Sequence, residues 1–517
     1  MNALKLPIGI QNFNILRSEN YIYVDKTKFL VSLINEGRVF FLSRPRRFGK
    51  SLMLSTLEEM FKGNTDLFEG LYAYDWVKEQ SKHPNPVLYF DMSQYSDELS
   101  FDKWINKNLT YFADDYNLNF KPDDEYSLSL INILRSASNK LSRVVILIDE
   151  YDSLILDNIT DSSKAGLCRD KLRIFYRLIK SCDRYIKFIM ITGISRFTKA
   201  GIFSAMNNLY DISMVDKYAS LCGYTSNEIE FFFNYYLQNL PDNIDITGYS
   251  SLCDKIKFYY DGYSFDGISK VYNPFSILNF FANYKFNNFW FLSGGSTSLV
   301  KFILNHKMYN PEKYSGLKVK KTFCETHEID KTTPESFLFQ SGYLTIKEKQ
   351  DDNFIVDYPN YEVKSAIADM YAEDIYCIHD FVNIQDKLLK YIKNSNIDGL
   401  LSVYNHVLAH IPYDYFIKDD EGFYKAIFIV LLKSTNVSVE SEVHSSLGRS
   451  DIIIKTDNNI IIFEFKIKSK NDSADTVKSK GEEQIRQKQY LQPYEEDRRN
   501  KYSYVIIIDR EKRQAII

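Results

Sequence analysis

The sequence predicts an α/β protein of several domains, and three observations predict it. Near the N-terminus an apolar strand runs into a glycine-lysine-serine loop and a helix; a second apolar strand ends in two acids; a carboxylate-bearing hairpin lies close to the C-terminus. The 517 residues suffice for two to four domains with real cores. Hydrophobic residues make up 45% and charged residues 26%, the balance of a folded soluble chain rather than a disordered one. A net charge of −4 supplies no global field for a polyanion, so any nucleic-acid contact has to come from local basic groups.

The first observation starts at Val39–Leu42, which reads as a buried strand, followed by the loop RPRRFGKS and a helix from Ser51 in which Met53, Leu57, Met60 and Phe61 recur at helical spacing. A loop of the form G-x-x-x-x-G-K-[ST] cradles phosphates with backbone N–H groups and a helix N-terminus; its lysine reaches the β/γ groups and its hydroxyl binds Mg²⁺. Gly49, Lys50 and Ser51 satisfy the second half of that pattern. The first glycine position is Arg44, followed by Pro45, which has no N–H to donate. Arg46, Arg47 and Phe48 complete the loop, the two arginines being either phosphate or DNA contacts or plain solvated charge.

The second strand, Val144 to Ile148, is apolar throughout, as a central parallel strand should be, and ends in Asp149-Glu150. Asp149 is expected to hold Mg²⁺ through water and Glu150 to position an attacking water. A third strand, Lys187 to Ile191, leads into Thr192–Arg196, where Arg196 is either a sensor of the terminal phosphate or an ordinary loop residue. The region that follows is mainly helical. Within it, SGYLTIKEKQDDNFIVDYPN reads as a hairpin turning at Gln350–Asn353, and the aromatic stripe Phe231–Phe233, Tyr235 and Tyr236 is expected in a core.

The hairpin GRSDIIIKTDNNIIIFEFKIK carries the sharpest chemistry. With the period of two of a strand, Glu464 and Lys466 share a polar side while Phe463 and Phe465 point into a core. A two-residue turn at Asp457-Asn458 sets Thr456 opposite Asn459 and therefore Asp451 opposite Glu464. Opposed residues have Cβ atoms about 5 Å apart, which suits two carboxylates sharing one Mg²⁺ with waters completing the octahedron. Lys466 would then orient the bound water or stabilise developing charge. A plain polar hairpin is the competing reading. The polar stretch Ser469 to Glu483 reads as a surface loop. No histidine pair has metal-ligand company: His406 and His410 share a helix face without an H-E-x-x-H pattern, so no zinc site is expected.

Six cysteines without C-x-x-C spacing point to a reducing compartment, and no apolar run spans a bilayer, so a cytoplasmic protein with no membrane partner is expected.

The string YIYVDKTKFLVSLINEGRVFFLSRPRRFGKSL, with LIDEYD at Leu147–Asp152 and GISRF at Gly193–Phe197, resembles the AAA-ATPase-like family, Arg44-Pro45 included. Asp25 and Lys26 match it as well. The C-terminal hairpin, with Glu442 upstream, Gly448-Arg449 before Ser450-Asp451, and Gln484 and Tyr490 beyond, resembles the PD-(D/E)XK nuclease superfamily in the branch that follows an AAA-ATPase-like domain. The resemblance implies a P-loop NTPase parallel sheet over 1–215, a helical lid or winged-helix-like region over 216–400, and a restriction-endonuclease-like α/β domain over 401–517. It implies ATP and Mg²⁺ as cofactors, with Lys50, Ser51, Asp149 and Glu150 at the nucleotide, and Asp451, Glu464 and Lys466 at the cleavage centre supported by Glu442, Gln484 and Tyr490. The expected function is nucleotide-gated cleavage of DNA; the alternative is an ATP-driven switch whose nuclease-like domain binds nucleic acid or a partner without cutting. A homo-oligomer in which Arg196 acts on a neighbour's nucleotide is compatible with both.

Overall fold

The computed structural model describes residues 4–96, 100–158, 161–196, 202–203, 206–241, 244, 246–293, 296–324, 332–412, 420–435, 437–444 and 447–517; Phe197 of GISRF lies outside them. Two compact units form, Met1–Trp290 with Gly316–Asn360, and Phe291–Ser315 with Tyr361–Ile517.

The first unit is built on a five-stranded parallel sheet in the order β2-β3-β4-β1-β5, from β1 (Val39–Ser43), β2 (Val87–Asp91), β3 (Val144–Asp149), β4 (Ile186–Gly193) and β5 (Tyr210–Asp211). Every residue of β1 and β3 is buried, as expected of strands covered by helices on both faces. The helices Phe101–Asp115, Tyr126–Lys140 and Ser162–Ser181 contribute Trp104, Ile105, Ile133, Leu172 and Phe175 to one core with Phe41, Phe90, Ile146 and Ile148. The three strands read from sequence are therefore present as β1, β3 and β4, with β4 inserted between the loop-bearing β1 and the acid-bearing β3. Helix α1 (Lys50–Lys62) follows the loop.

A small antiparallel sheet, β6 (Leu317–Lys320), β7 (Thr345–Gln350) and β8 (Asn353–Asp357) in the order β6-β8-β7, contains the expected hairpin, with Gln350 paired to Asn353. The aromatic stripe departs from expectation. Phe233 is fully buried, yet Phe231 is 76% and Tyr235 48% exposed. Consecutive helical residues point in different directions, and α2 (Ser226–Phe232) turns Ile229 and its C-cap Phe233 into the core, which leaves Phe231 outside, with Tyr235 four residues further on. Asp25 and Lys26 acquire structural roles. Lys26 Nζ lies 2.6 Å from Glu228 and donates to the Ser220 carbonyl, while Asp25 accepts from the Thr27 and Tyr72 N–H groups.

The second unit holds a five-stranded mixed sheet in the order β13-β12-β11-β10-β9, from β9 (Ser438–His444), β10 (Arg449–Lys455), β11 (Asn459–Lys468), β12 (Asn500–Asp509) and β13 (Gln514–Ile516). β9, β10 and β11 form an antiparallel meander; β12 lies parallel to β11. Helix α3 (Glu421–Lys433) brings Phe428 to within 5.5 Å of both Phe463 and Phe465, centroid to centroid. Helix α4 (Ala474–Gln487) packs Val477 and Ile485 against Ile460, Ile462, Val505 and Ile507, the alternate residues and hence the other face. Gly481 allows that contact, since a Cβ there would sit 2.5 Å from Val505 Cγ1.

Two expectations are corrected here. The hairpin does not have one polar face: β11 is buried from Asn459 to Phe465, because helices cover both sides, and only its last three residues reach partial exposure. Residues 469–483 are not all surface loop. The helix starts at Ala474, capped by Ser473 Oγ accepting the Thr476 N–H at 3.1 Å, and Val477, Gly481 and Ile485 form its buried stripe at intervals of four.

The six cysteines are not joined in disulfides. Among the described residues no helix is long and apolar enough to cross a membrane.

Asp369, on the helix Tyr361–Met370, offers a stability test away from either site. Burial and the nearby Glu373 push its carboxyl up to about 6, while Gln385 donates to it at 3.2 Å. A carboxyl raised on folding favours the native state below its unfolded value near 4 and forfeits that contribution as pH rises through about 6. Asp369→Asn should therefore raise the melting temperature at pH 8, by the equivalent of about 1 kcal/mol after solvent screening, and leave it unchanged or lower at pH 4.

Candidate active sites

At the phosphate loop, Gly49 is the residue before α1 with φ of 92°, a left-handed conformation natural for glycine, and a Cβ there would meet nothing within 4 Å. The amides of the first helical turn have no carbonyl partner within the helix. Lys50 is buried, and its Nζ donates to the carbonyls of Arg44 and Pro45, at 3.0 Å each. Burial lowers its pKa, with Asp149 and Glu150 opposing that effect.

Arg44 explains how the loop manages without its first glycine. Its side chain turns inward, donating to the carbonyls of Ser43 at 2.9 Å, Ser213 at 2.7 Å and Tyr218 at 3.1 Å, with its guanidinium 3.9 Å from the Phe265 ring centre. Pro45 packs so closely on Gly342 that a Cβ at that glycine would approach its Cβ to 2.7 Å. Phe48 is buried edge-on against Tyr263 at 4.9 Å, and Trp290 Nε1 donates to the Arg46 carbonyl at 3.1 Å. Arg46 and Arg47 are exposed, Arg47 with φ of 66° and its guanidinium 5.1 Å from the Phe275 ring centre. The loop is thus fixed from behind and open at the glycine-lysine turn.

Asp149, at the end of β3, is buried; its Oδ1 accepts from Thr192 Oγ1 at 2.6 Å and its Oδ2 from the Tyr89 hydroxyl at 3.3 Å. Glu150 follows in the left-handed region, φ 49°, and burial together with Asp149 raises its pKa. A non-glycine residue held there costs about 1 kcal/mol or more, and such positions concentrate at functional sites. Arg196 is held within its own chain by Asp211, Nη2 to Oδ2 2.7 Å, and its N–H donates to Gln340 Oε1 at 2.9 Å. Ser51 opens the helix beside Lys50.

In the second unit the expected register is present. Ile452 pairs with Phe463 and Lys455 with Ile460, the Thr456 N–H bonds the Asn459 carbonyl at 2.9 Å, and Asp451 and Glu464 are the residues one step beyond the last pair of that register. Asp451 Oδ2 accepts the Phe465 N–H at 2.7 Å, which fixes the aspartate against β11. Glu464 is 1% exposed; Lys466 Nζ lies 2.6 Å from its Oε1, while its buried Oε2 has no hydrogen-bond partner among the described residues. Burial, with Asp451 adding to it, pushes the Glu464 carboxyl up to about 7. Glu442, on β9 between the residues paired to either side of Asp451, has φ of 54° and forms an ion pair with Arg449 Nε at 2.5 Å. Gln484 Nε2 donates to the Tyr490 hydroxyl at 3.0 Å, and burial raises the pKa of that tyrosine, with Glu464 and Asp451 adding to the effect.

Two residues of this cluster escape the sequence reading. Lys425, one turn into α3, donates to Asp451 Oδ1 at 2.9 Å and ion-pairs with Glu442. Burial opposes its charge, but Asp451 and Glu442 outweigh burial and raise its pKa. Glu421, four residues earlier, has its pKa raised by burial and then by Asp451. Spacing of four turns both side chains to one side of α3. In sequence the pair looks like any solvated i, i+4 ion pair ahead of an apolar run.

The donor set fits a divalent cation, although among the described residues no group of three or more His, Cys, Asp or Glu side chains is arranged to hold one. Asp451 and Glu464 supply two hard oxygen donors, and the partnerless Glu464 Oε2 is the kind of buried atom that an ion would satisfy. The third acid, Glu442, is engaged by Lys425 and Arg449 instead.

Comparison with known proteins agrees with both halves. The AAA-ATPase-like family, described as a predicted AAA-ATPase, matches residues 7–203, and the PD-(D/E)XK nuclease superfamily matches residues 419–516. The chain belongs to the AAA-ATPase-like proteins that carry a C-terminal PD-(D/E)XK nuclease superfamily domain. Across almost its whole length it is similar to the uncharacterized protein in the vnfD 5′ region of Azotobacter chroococcum mcd 1, at 33% identity over 483 residues, covering 90% of each chain. These two domains give the protein the potential of an ATPase and of a nuclease.

Proposed function

We propose that the protein is a Mg²⁺-dependent nuclease that cleaves DNA phosphodiester bonds under the control of ATP bound at its N-terminal loop. The observation that carries this reading is Asp451 and Glu464 side by side, one step beyond the β10–β11 ladder, with Lys466 on one Glu464 oxygen and, among the described residues, no partner on the other, Oε2. Asp451 and Glu464 would hold Mg²⁺, which when bound polarises a phosphodiester oxygen and lowers the pKa of water. Lys466 holds one Glu464 oxygen and brings positive charge to the scissile phosphate. Gln484 fixes the Tyr490 hydroxyl beside the same acids, and Glu442 holds Arg449 and Lys425.

At the other site Lys50 would leave the Arg44 and Pro45 carbonyls for a stronger acceptor, a phosphate oxygen. Ser51 and Asp149 would hold the nucleotide's Mg²⁺, and Glu150 would orient water. Arg196 would serve the terminal phosphate of its own nucleotide or a neighbouring copy's only after giving up Asp211. Arg46 and Arg47, exposed at the loop, are the remaining basic groups for phosphate.

A second reading is a nucleotide-driven switch whose C-terminal domain binds nucleic acid without cutting; the lysine on Asp451 and Glu442 favours it. Plasmid cleavage separates the two. Purified full-length protein with Mg²⁺ should nick supercoiled DNA, at a rate that ATP changes, and Asp451→Ala and Lys466→Ala should each lower the rate by about 100-fold or more. Cleavage unchanged in both variants would remove the site assignment. DNA retention without nicking would leave the switch.

A further inference from the structure

Lys425 is placed where a bound cation would lie. Asp451 has two oxygens, and Oδ2 is committed to the Phe465 N–H at 2.7 Å; the remaining one, Oδ1, carries the Lys425 ammonium at 2.9 Å. The same ammonium ion-pairs with Glu442 across β10. Its side chain is 14% exposed, so solvent does little to screen the charge. The neighbouring Glu464, paired with Lys466 through Oε1, keeps Oε2 without a hydrogen-bond partner among the described residues.

We propose that Lys425 is an internal cation that competes with Mg²⁺ for Asp451, so that the metal requirement of the site is set by displacing a lysine of the same chain. The inference rests on Asp451 and Glu464 being metal ligands. A divalent ion on Asp451 Oδ1 either shares that oxygen with an ammonium, so that two like charges meet within a few ångströms where repulsion is strong, or moves it aside, at the cost of its ion pairs. Without the ammonium, Asp451 and Glu442 repel each other, and the metal relieves that repulsion. The acids are thereby kept paired until metal arrives, which holds the end of α3 against β9 and β10 in the metal-free protein.

Calorimetric titration of the full-length protein with MgCl₂, without ATP or nucleic acid, tests this. Glu464→Gln serves as the background, removing the site's own heat from that of any other Mg²⁺ site. Lys425→Met, which keeps the stem and removes the charge, should bind Mg²⁺ about tenfold more tightly than wild type. Its metal-induced rise in melting temperature should begin at about a tenfold lower Mg²⁺ concentration. Lys425→Arg, which keeps the charge, should retain wild-type affinity. Lys425→Gln substitutes for the methionine variant if that protein fails to fold.

Unchanged or weaker binding in Lys425→Met overturns the proposal, as does equal tightening in Lys425→Arg, which would make side-chain shape the cause. If wild type and Lys425→Met show no Mg²⁺ binding beyond that of Glu464→Gln, the metal site itself falls, and the proposal with it. Binding lost in Glu464→Gln but not tightened in Lys425→Met leaves the metal site standing and removes only the role of the lysine.

Discussion

Glu464→Gln is expected to abolish DNA cleavage, by at least about 100-fold, while leaving the protein folded and, above pH 7, at least as stable as wild type. The substitution is nearly isosteric, so the packing of β11 between α3 and α4 is kept. What changes is charge. Wild type holds a carboxylate that is 1% exposed, satisfied at Oε1 by Lys466 and unsatisfied at Oε2, and its pKa is pushed up to about 7. A carboxyl raised on folding contributes stability below its unfolded value near 4.3 and loses that contribution as pH rises through about 7. Glutamine does not ionise, so wild type should lose stability relative to the variant over that window. Melting temperatures at pH 5 and pH 8, read beside plasmid nicking, check both halves. A variant destabilised at pH 8 would mean that Glu464 is a structural anchor through Lys466; a variant still cutting at wild-type rate would mean that its carboxylate is not needed.

The register of the hairpin was legible because it follows from two local facts, a period of two and a two-residue turn at Asp457-Asn458. Both act at short range, and nothing distant overrides them. The strands Val39–Leu42, Val144–Ile148 and Lys187–Ile191 were legible for a related reason: a parallel strand buried on both faces is an unbroken apolar run. β2 was not, since VLYFD carries a half-buried tyrosine and aspartate and lies within a few residues of Pro84 and Pro86. β5 has only two residues, Tyr210–Asp211, and is a strand solely because β1 lies beside it. Phe231 and Tyr235 failed as core residues because spacing of four groups residues on a face without saying which face is inward, and here Ile229 and Phe233 meet the core instead. The same limit hid Lys425 and Glu421. Spacing of four places them on one face of a helix, but which element that face meets is decided by how α3 packs on β11, through Phe428 against Phe463 and Phe465. Arg44 is the instructive intermediate. Its departure from the glycine pattern was visible, whereas its destination, a cage of the Ser43, Ser213 and Tyr218 carbonyls, depends on residues some 170 positions away.

Lys50→Ala is expected to remove ATP binding, weakening it by about 100-fold or more, with little change to the nucleotide-free protein. In the absence of phosphate the ammonium is bonded only to the Arg44 and Pro45 carbonyls, and burial already depresses its pKa. The loop's anchoring lies elsewhere, in Arg44, in Phe48 against Tyr263, and in the Trp290 bond to the Arg46 carbonyl, none of which the substitution touches. With phosphate present the balance changes, because a charge-assisted bond to a phosphate oxygen is roughly twice as strong as one to a neutral carbonyl. A ligand at 100 times its Kd stabilises the native state by about 2.7 kcal/mol, so saturating ATP should raise the melting temperature of wild type by a few degrees. Lys50→Ala should show no such rise at the same concentration. If cleavage is gated by nucleotide, the variant should also cut DNA at one rate with and without ATP, while wild type shows two. An ATP-induced rise that survives in Lys50→Ala would place the nucleotide elsewhere, and loss of the ATP effect on melting without loss of its effect on cleavage would uncouple the loop from the control.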